Sequence, residues 1–198
     1  MGLRAATEER ILDAAEDLFF TRGIAATPID AVIARAGVSA ATLYRGYASK
    51  ELLLAAALDR RQRTWRDTWD AAVARASGDV DRLLAVFDAL EDFRSETRGS
   101  RWCAFLGAAA EYADPPPEVA SAVASDTAWL RRRLTELARP VAEERAPELA
   151  ERLLLVVSGD LAMRLRDDRD ASVARTTAEV LVAAARTTAE VLVAAARA

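Results

Sequence analysis

Apolar residues recur along this chain every three to four positions, and the interruptions fall at glycines, prolines and capping hydroxyls. The first run is Ile11, Leu12, Ala15, Leu18 and Phe19, preceded by Thr7, Glu8 and Glu9 and closed by Arg22 and Gly23. A hydroxyl cap, acids at the positive end of the dipole and a terminal glycine predict a helix of about four turns. Thr27 then caps a second helix with Pro28 at its first position and Ile29, Val32 and Ile33 on its inner stripe. That helix breaks at Ala36 and Gly37, Val38 fills the corner, and Ser39 caps a third helix that starts at once. The third helix is barely two turns long: Leu43 points inward, Gly46 stops it, and Tyr47 is the aromatic expected to lock the three helices together.

From Ser49 the helical pattern continues through Leu52, Leu53, Ala56, Ala57, Trp65, Trp69 and Val73, with no breaker before Ser77 and Gly78. One helix of about seven turns is therefore expected to belong to two domains. Asp79 starts a fifth helix (Leu83, Leu84, Phe87, Leu90) that ends near 98–99, and residues 101–112 are apolar nearly all round, as a buried central helix would be. Asp114 and three prolines, 115–117, form a stiff linker. A helix from 118 to about 139 is stopped by Pro140, and another from Pro147 carries Leu149, Leu153, Val156, Val157, Leu161 and Leu165 on one face. The tail repeats itself, since ARTTAEVLVAA fills both 174–184 and 185–195. Eleven residues is close to three helical turns, so Val180 superimposes on Val191 and Leu181 on Leu192, and the last helix lengthens by about 16 Å.

Composition narrows the class. At 52% apolar residues and only 6% aromatic, with few glycines and prolines, the chain reads as an all-helical globular protein. No signal peptide, lipidation pattern or run long enough to span a membrane appears, and a single cysteine fits a reducing cytoplasm. Cys103, among Trp102, Ala104 and Phe105, reads as a buried, unreactive thiol rather than a redox sensor. Without histidine, triads, Cys/His dyads and histidine metal sites are excluded, and no phosphate loop or dinucleotide fingerprint occurs. No enzyme and no cofactor is expected. The net charge of −4 argues against a general nucleic-acid coat. Locally the balance differs, because Arg35, Arg45 and Lys50 face no acid within 31–50.

Two short amphipathic segments meeting at a glycine, with the second helix capped immediately, is the sequence form of a helix-turn-helix. The run AGVSAATLYRGYASKELLL, with its glycine corner, TLY triplet, aromatic Tyr47 and Ser-Lys-Glu opening of helix four, resembles the DNA-binding domain of the TetR family of bacterial transcriptional regulators. The stretch 103–112 also resembles a subset of that family. The resemblance implies an all-α fold, with a three-helix DNA-binding domain at 1–48 and a larger effector-binding and dimerisation domain at 49–198. It further implies that Thr27 meets phosphate, that Ser39, Ala40, Ala41, Thr42, Tyr44 and Arg45 line the major-groove side of helix three, and that Lys50 grips a phosphate. Arg45, the only long donor on helix three, is the best candidate for a contact to guanine. Gly46 departs from the family, which commonly carries a histidine or aromatic there that touches the DNA backbone.

So small a reading surface calls for a homodimer spanning two half-sites about 34 Å apart. The long apolar faces of the last two helices suit a four-helix bundle between copies, the place where this family dimerises, with Leu153, Val157, Leu161, Val180 and Leu181 as seam residues. Trp65, Trp69, Phe87, Phe93, Trp102, Phe105, Tyr112 and Trp129 are the candidate ligand pocket. Such an aromatic set is more often plain core; the resemblance favours an effector site. The expected function is a cytoplasmic repressor on a palindromic double-stranded operator, released by a small, largely apolar effector. The alternatives are a dimeric regulator without effector, or an activator.

Overall fold

The structure is a computed structural model describing residues 3–96, 103–166 and 172–196, with side chains described to residue 187. Regular structure among these residues is helical throughout: α1 (Ala5–Arg22), α2 (Ile29–Ala36), α3 (Ala40–Gly46), α4 (Lys50–Arg75), α5 (Asp79–Ser95), α6 (Ala104–Glu111), α7 (Pro117–Ala142), a 3-10 turn (Glu143–Arg145), α8 (Ala146–Met163) and α9 (Ser172–Ala196). No helix of the described residues is long and apolar enough to cross a membrane.

Packing gathers the chain into two units, Met1–Thr64 with Trp102–Asp126, and Trp65–Arg101 with Thr127–Ala198. This differs from a division at residue 48, for two reasons. No breaker interrupts α4, whose residues 50–64 stay with the first unit. In addition, α6 and the start of α7 bring Ala104, Phe105, Ala108 and Val119 into the same core as Ile11, Phe19, Val32, Leu43, Leu53, Leu54 and Leu58. The second unit is built on Trp69, Leu83, Leu134 and Leu153, all fully buried, and closed by Ala178, Val182 and Ala185 of α9.

Helix ends follow the sequence signals where a side chain makes the cap and shift where it does not. Ser39 Oγ accepts from Thr42 N at 3.2 Å, and Ser49 Oγ accepts from Leu52 N at 3.1 Å, so both predicted serine caps are formed. Thr7, by contrast, lies inside the first turn of α1, its amide bonded to Arg4 O at 2.8 Å. Thr27 is not a cap either, because α2 opens after Pro28. Helix α5 stops at Ser95, short of 98–99, and α6 buries only Ala104, Phe105, Gly107 and Ala108 while Ala109 and Ala110 are exposed. Pro140 does not stop α7; it sits in the last turn, and the chain leaves two residues later through Glu143 in the left-handed region, φ 48°.

Tyr47 closes the first three helices as expected. It is buried, and its phenol donates to Glu8 Oε1 at 3.3 Å. Burial, reinforced by the Glu8 carboxylate, pushes the phenol up to about 12. A group whose folded pKa exceeds its unfolded value contributes stability that is complete below the unfolded value and is lost as pH rises through the folded one. Urea midpoints measured between pH 10 and pH 12 are therefore expected to fall less steeply in Tyr47→Phe than in the wild type. Parallel curves would mean that the phenol does not couple to folding.

Candidate nucleic-acid interface

The corner between α2 and α3 needs a residue without a side chain. Gly37 adopts φ 62°, ψ 42°, and its amide and that of Val38 close the end of α2 on Ala34 O at 3.2 Å and Ile33 O at 3.3 Å. Ser39 then starts α3 without a spacer, its hydroxyl 2.9 Å from that of Thr42. Leu43 is fully buried and fixes which way the short helix faces. Ser39, Ala40, Ala41, Tyr44 and Arg45 are consequently exposed together, with Thr42 half-buried between them. Tyr44 is 48% exposed, unusual for an aromatic with a core beside it.

Charge sharpens this face. Arg35, on α2, is held by Asp17 at 2.9 Å. Arg60 is paired with Glu16 at 2.5 Å and Asp13 at 2.9 Å. Among the described residues no carboxylate pairs with Arg45, whose guanidinium stands in solvent among small side chains.

Two expected phosphate contacts are placed differently. Thr27 is 1% exposed, with its hydroxyl 2.7 Å from Gly23 O and 3.2 Å from Leu18 O. It ties α1 to the turn and offers nothing to a phosphate. Lys50 Nζ donates to Ile24 O at 2.5 Å and stands 5.8 Å from the Phe19 ring centre, so the ammonium has an internal role as well.

Sequence reasoning missed the residue that organises this turn. Glu111 accepts from Ile24 N through Oε1 at 2.9 Å and from Ala25 N through Oε2 at 2.6 Å. A carboxylate at the C-terminal end of a helix is electrostatically unfavourable. That misplaced charge at the end of α6 was the available signal. Gly46 also has a structural counterpart: a Cβ there would lie 2.2 Å from Leu3 Cδ1, so the start of the chain covers the site where the family carries a larger side chain.

The remaining candidates divide. Trp65, Trp69, Phe93 and Trp129 touch, with ring centres 5.5 Å apart for Trp65 and Trp69, 5.6 Å for Trp65 and Phe93, and 5.5 Å for Trp69 and Trp129. Phe87 is buried in the same core, whereas Phe105 and Tyr112 belong to the core of the first unit. Trp102 lies outside the described residues. Leu153 and Val157, expected at a seam, fill the interior of the second unit, because α9 packs over that side of α8. Leu161 and Leu181 are half-buried against the same core, and Val180 is 64% exposed. Burial pushes the Cys103 thiol up to about 11, leaving it un-ionised at neutral pH.

A glycine corner, a capped short helix and an exposed face carrying one unpaired guanidinium define a helix-turn-helix DNA-binding protein. The sequence model for bacterial regulatory proteins of the tetR family matches residues 11–57. A TetR-family transcriptional regulator from Streptomyces coelicolor is similar over 93% of this chain and 96% of its own, at 30% identity and a TM-score of 0.79. Regulators of the same family from Cytophaga hutchinsonii (15% identity, 92% and 96% covered, TM-score 0.78) and Chloroflexus aurantiacus (23%, 91% and 92%, 0.69) share the fold. A comparison with curated proteins finds no match. The chain belongs to the TetR family of bacterial transcriptional regulators and is a DNA-binding regulator, not an enzyme.

Replacing Glu111 by Gln leaves one acceptor for two amides and removes the charge. The loss expected is about 1–2 kcal/mol of stability, read from urea unfolding, with weaker DNA binding in parallel. An unchanged midpoint would show that water serves the turn as well as the carboxylate does.

Proposed function

We propose that this TetR-family regulator is a homodimeric repressor that sets α3 of each protomer in the major groove of a palindromic operator and is released by a small effector held in the second unit. The observation that carries the reading is the outer face of α3, where Arg45 is unpaired among Ser39, Ala40, Ala41, Thr42 and Tyr44. Small side chains admit the base edges, and a guanidinium presents the two parallel donors that match guanine O6 and N7. Lys50 keeps two ammonium hydrogens beyond the one given to Ile24, and these would reach a phosphate beside α4.

The dimer seam in this proposal uses residues that the protomer leaves uncovered. Leu155 is 74% exposed and Val180 64%, on the helices α8 and α9, and the half-buried Leu161 and Leu181 border them. The effector site is the aromatic group of Trp65, Trp69, Phe93 and Trp129, and its occupant must favour the state that cannot hold DNA, since a ligand with no preference shifts nothing.

Selection of bound sites from random DNA is expected to recover a palindrome with half-sites one helical turn apart. On that site Arg45→Ala should cost about 1–3 kcal/mol and relax the preference at one base pair, while Lys50→Ala should weaken all sequences alike. A uniform loss with preference intact would remove Arg45 as a base reader. For the seam, Leu155→Asp combined with Val180→Asp is expected to convert a dimer on sizing chromatography into a folded monomer. Leu153→Asp, at a fully buried position, should unfold the second unit instead.

A further inference from the structure

Buried N–H groups are nearly always paired, and one that is not marks a place where a partner is absent. Five donor atoms among the described residues are buried without a hydrogen-bond partner: Arg60 Nη2, Arg66 Nε, Trp69 Nε1, Arg133 Nε and Arg164 Nη2. Asp13 and Arg60 neutralise each other at 2.9 Å, and Arg164 is paired with Asp160 at 2.8 Å. The other three lie together in the second unit, where α4 faces α7.

Arg66, Trp69 and Asp70 share one face of α4, and Trp129 and Arg133 share one face of α7, by the spacing of three and four residues. The two faces meet: the Trp69 and Trp129 rings are 5.5 Å apart and nearly perpendicular, Arg66 Cζ stands 4.7 Å from the Trp129 ring centre, and Arg133 Nη2 reaches Asp70 Oδ1 at 2.5 Å. Trp69 is fully buried. Trp65 and Phe93 continue the aromatic wall.

The three unpartnered groups have one chemistry. An indole N–H and guanidinium N–H groups donate hydrogens and accept none. Whatever completes them must bring lone pairs. Arg133 is already paired with Asp70 at 2.5 Å and Glu136 at 3.8 Å, so the charge without a carboxylate among the described residues is that of Arg66, and it prefers a negative acceptor to a neutral one. A hydrocarbon would leave all three donors as they are, and an amine would meet the Arg66 guanidinium. We propose that the seam between α4 and α7 binds a molecule with a flat apolar body and a carboxylate-type head, the head accepting from Trp69 Nε1, Arg66 Nε and Arg133 Nε. This rests on the effector-site reading above and changes its ligand from an apolar molecule to an amphiphilic anion.

The test uses four probes on one ring system: 2-naphthoate, 2-naphthamide, 2-naphthylmethylamine and 2-methylnaphthalene, titrated into the protein and followed by tryptophan fluorescence. Binding of the carboxylate at least about tenfold tighter than the amide is expected, with the amine and the hydrocarbon weaker still. Decanoate against decanol separates a need for a flat body from a need for the anion alone. Arg66→Gln should erase the preference for carboxylate over amide, and Trp69→Phe should weaken carboxylate and amide together. Far-UV circular dichroism checks the fold; if Arg66→Gln unfolds, Arg133→Gln takes its place, with the same loss of carboxylate preference expected.

Equal affinity for the amine and the carboxylate, a preference that survives in the folded arginine variant, or no binding by any probe would each overturn the proposal, the last leaving water as the partner of the three donors. Release of operator DNA is measured separately in the same titration. Carboxylate-selective binding without release would keep this inference and sink the switch reading, whereas release by a probe that shows no anion preference would do the reverse.

Discussion

Two consecutive amides, those of Ile24 and Ala25, face the two oxygens of one carboxylate, and the carbonyl of Ile24 faces the ammonium of Lys50. Gly23 enters this turn at φ 93°, and Thr27 leaves it with its hydroxyl directed back at Gly23 and Leu18. The turn from α1 to α2 thus takes its shape from α6 and α4 as well as from itself. Everything beyond it inherits that shape: α2 starts from the turn, Gly37 fixes α3 relative to α2, and Leu43 fixes the rotation of α3 about its own axis. The outer face of α3 is positioned by a succession of hydrogen bonds and packing contacts that begins at Glu111.

The same economy governs charge. An acidic protein presents cations to DNA only where its own carboxylates do not reach them. Arg35 and Arg60 each have an acid, and Lys50 has a carbonyl. On α3 the cation left to the outside is Arg45, whose neighbours Ala40 and Ala41 are too small to shield it.

Local signals were legible wherever one residue type has one physical job. The Gly37 corner, the Ser39 and Ser49 caps, the unbroken length of α4, inward Leu43 and inward Tyr47 were all readable from the sequence, because each follows from backbone freedom, hydroxyl capping or helical period. Thr27 misled for an instructive reason: a threonine before a proline serves equally as a cap or as a donor to carbonyls across the fold, and only tertiary structure decides. Glu111 belongs to the same class, since its partners are 86 and 87 residues away. Two seam candidates, Leu153 and Val157, were misplaced through the width of the stripe. Helix α8 is apolar on more than one side, and the period alone does not say that Leu153 and Val157 turn inward while Leu155 turns out. Orphaned donors between α4 and α7 could not have been anticipated at all, because arginine and tryptophan at helical spacing usually find partners.

Position 46 is occupied by a glycine although the backbone there is ordinary helix, and the reason lies at the other end of the unit: Leu3 fills the space that a side chain would need. The two positions therefore compete for one volume. A larger residue at 46 requires the Leu3 side chain to swing aside or a smaller residue to stand at 3. Among relatives of this protein the two sites should vary in step, and their substitutions should combine non-additively when measured as a pair. The bare position at the end of α3 is in this sense a property of the N-terminus as well, shared across more than forty residues of sequence.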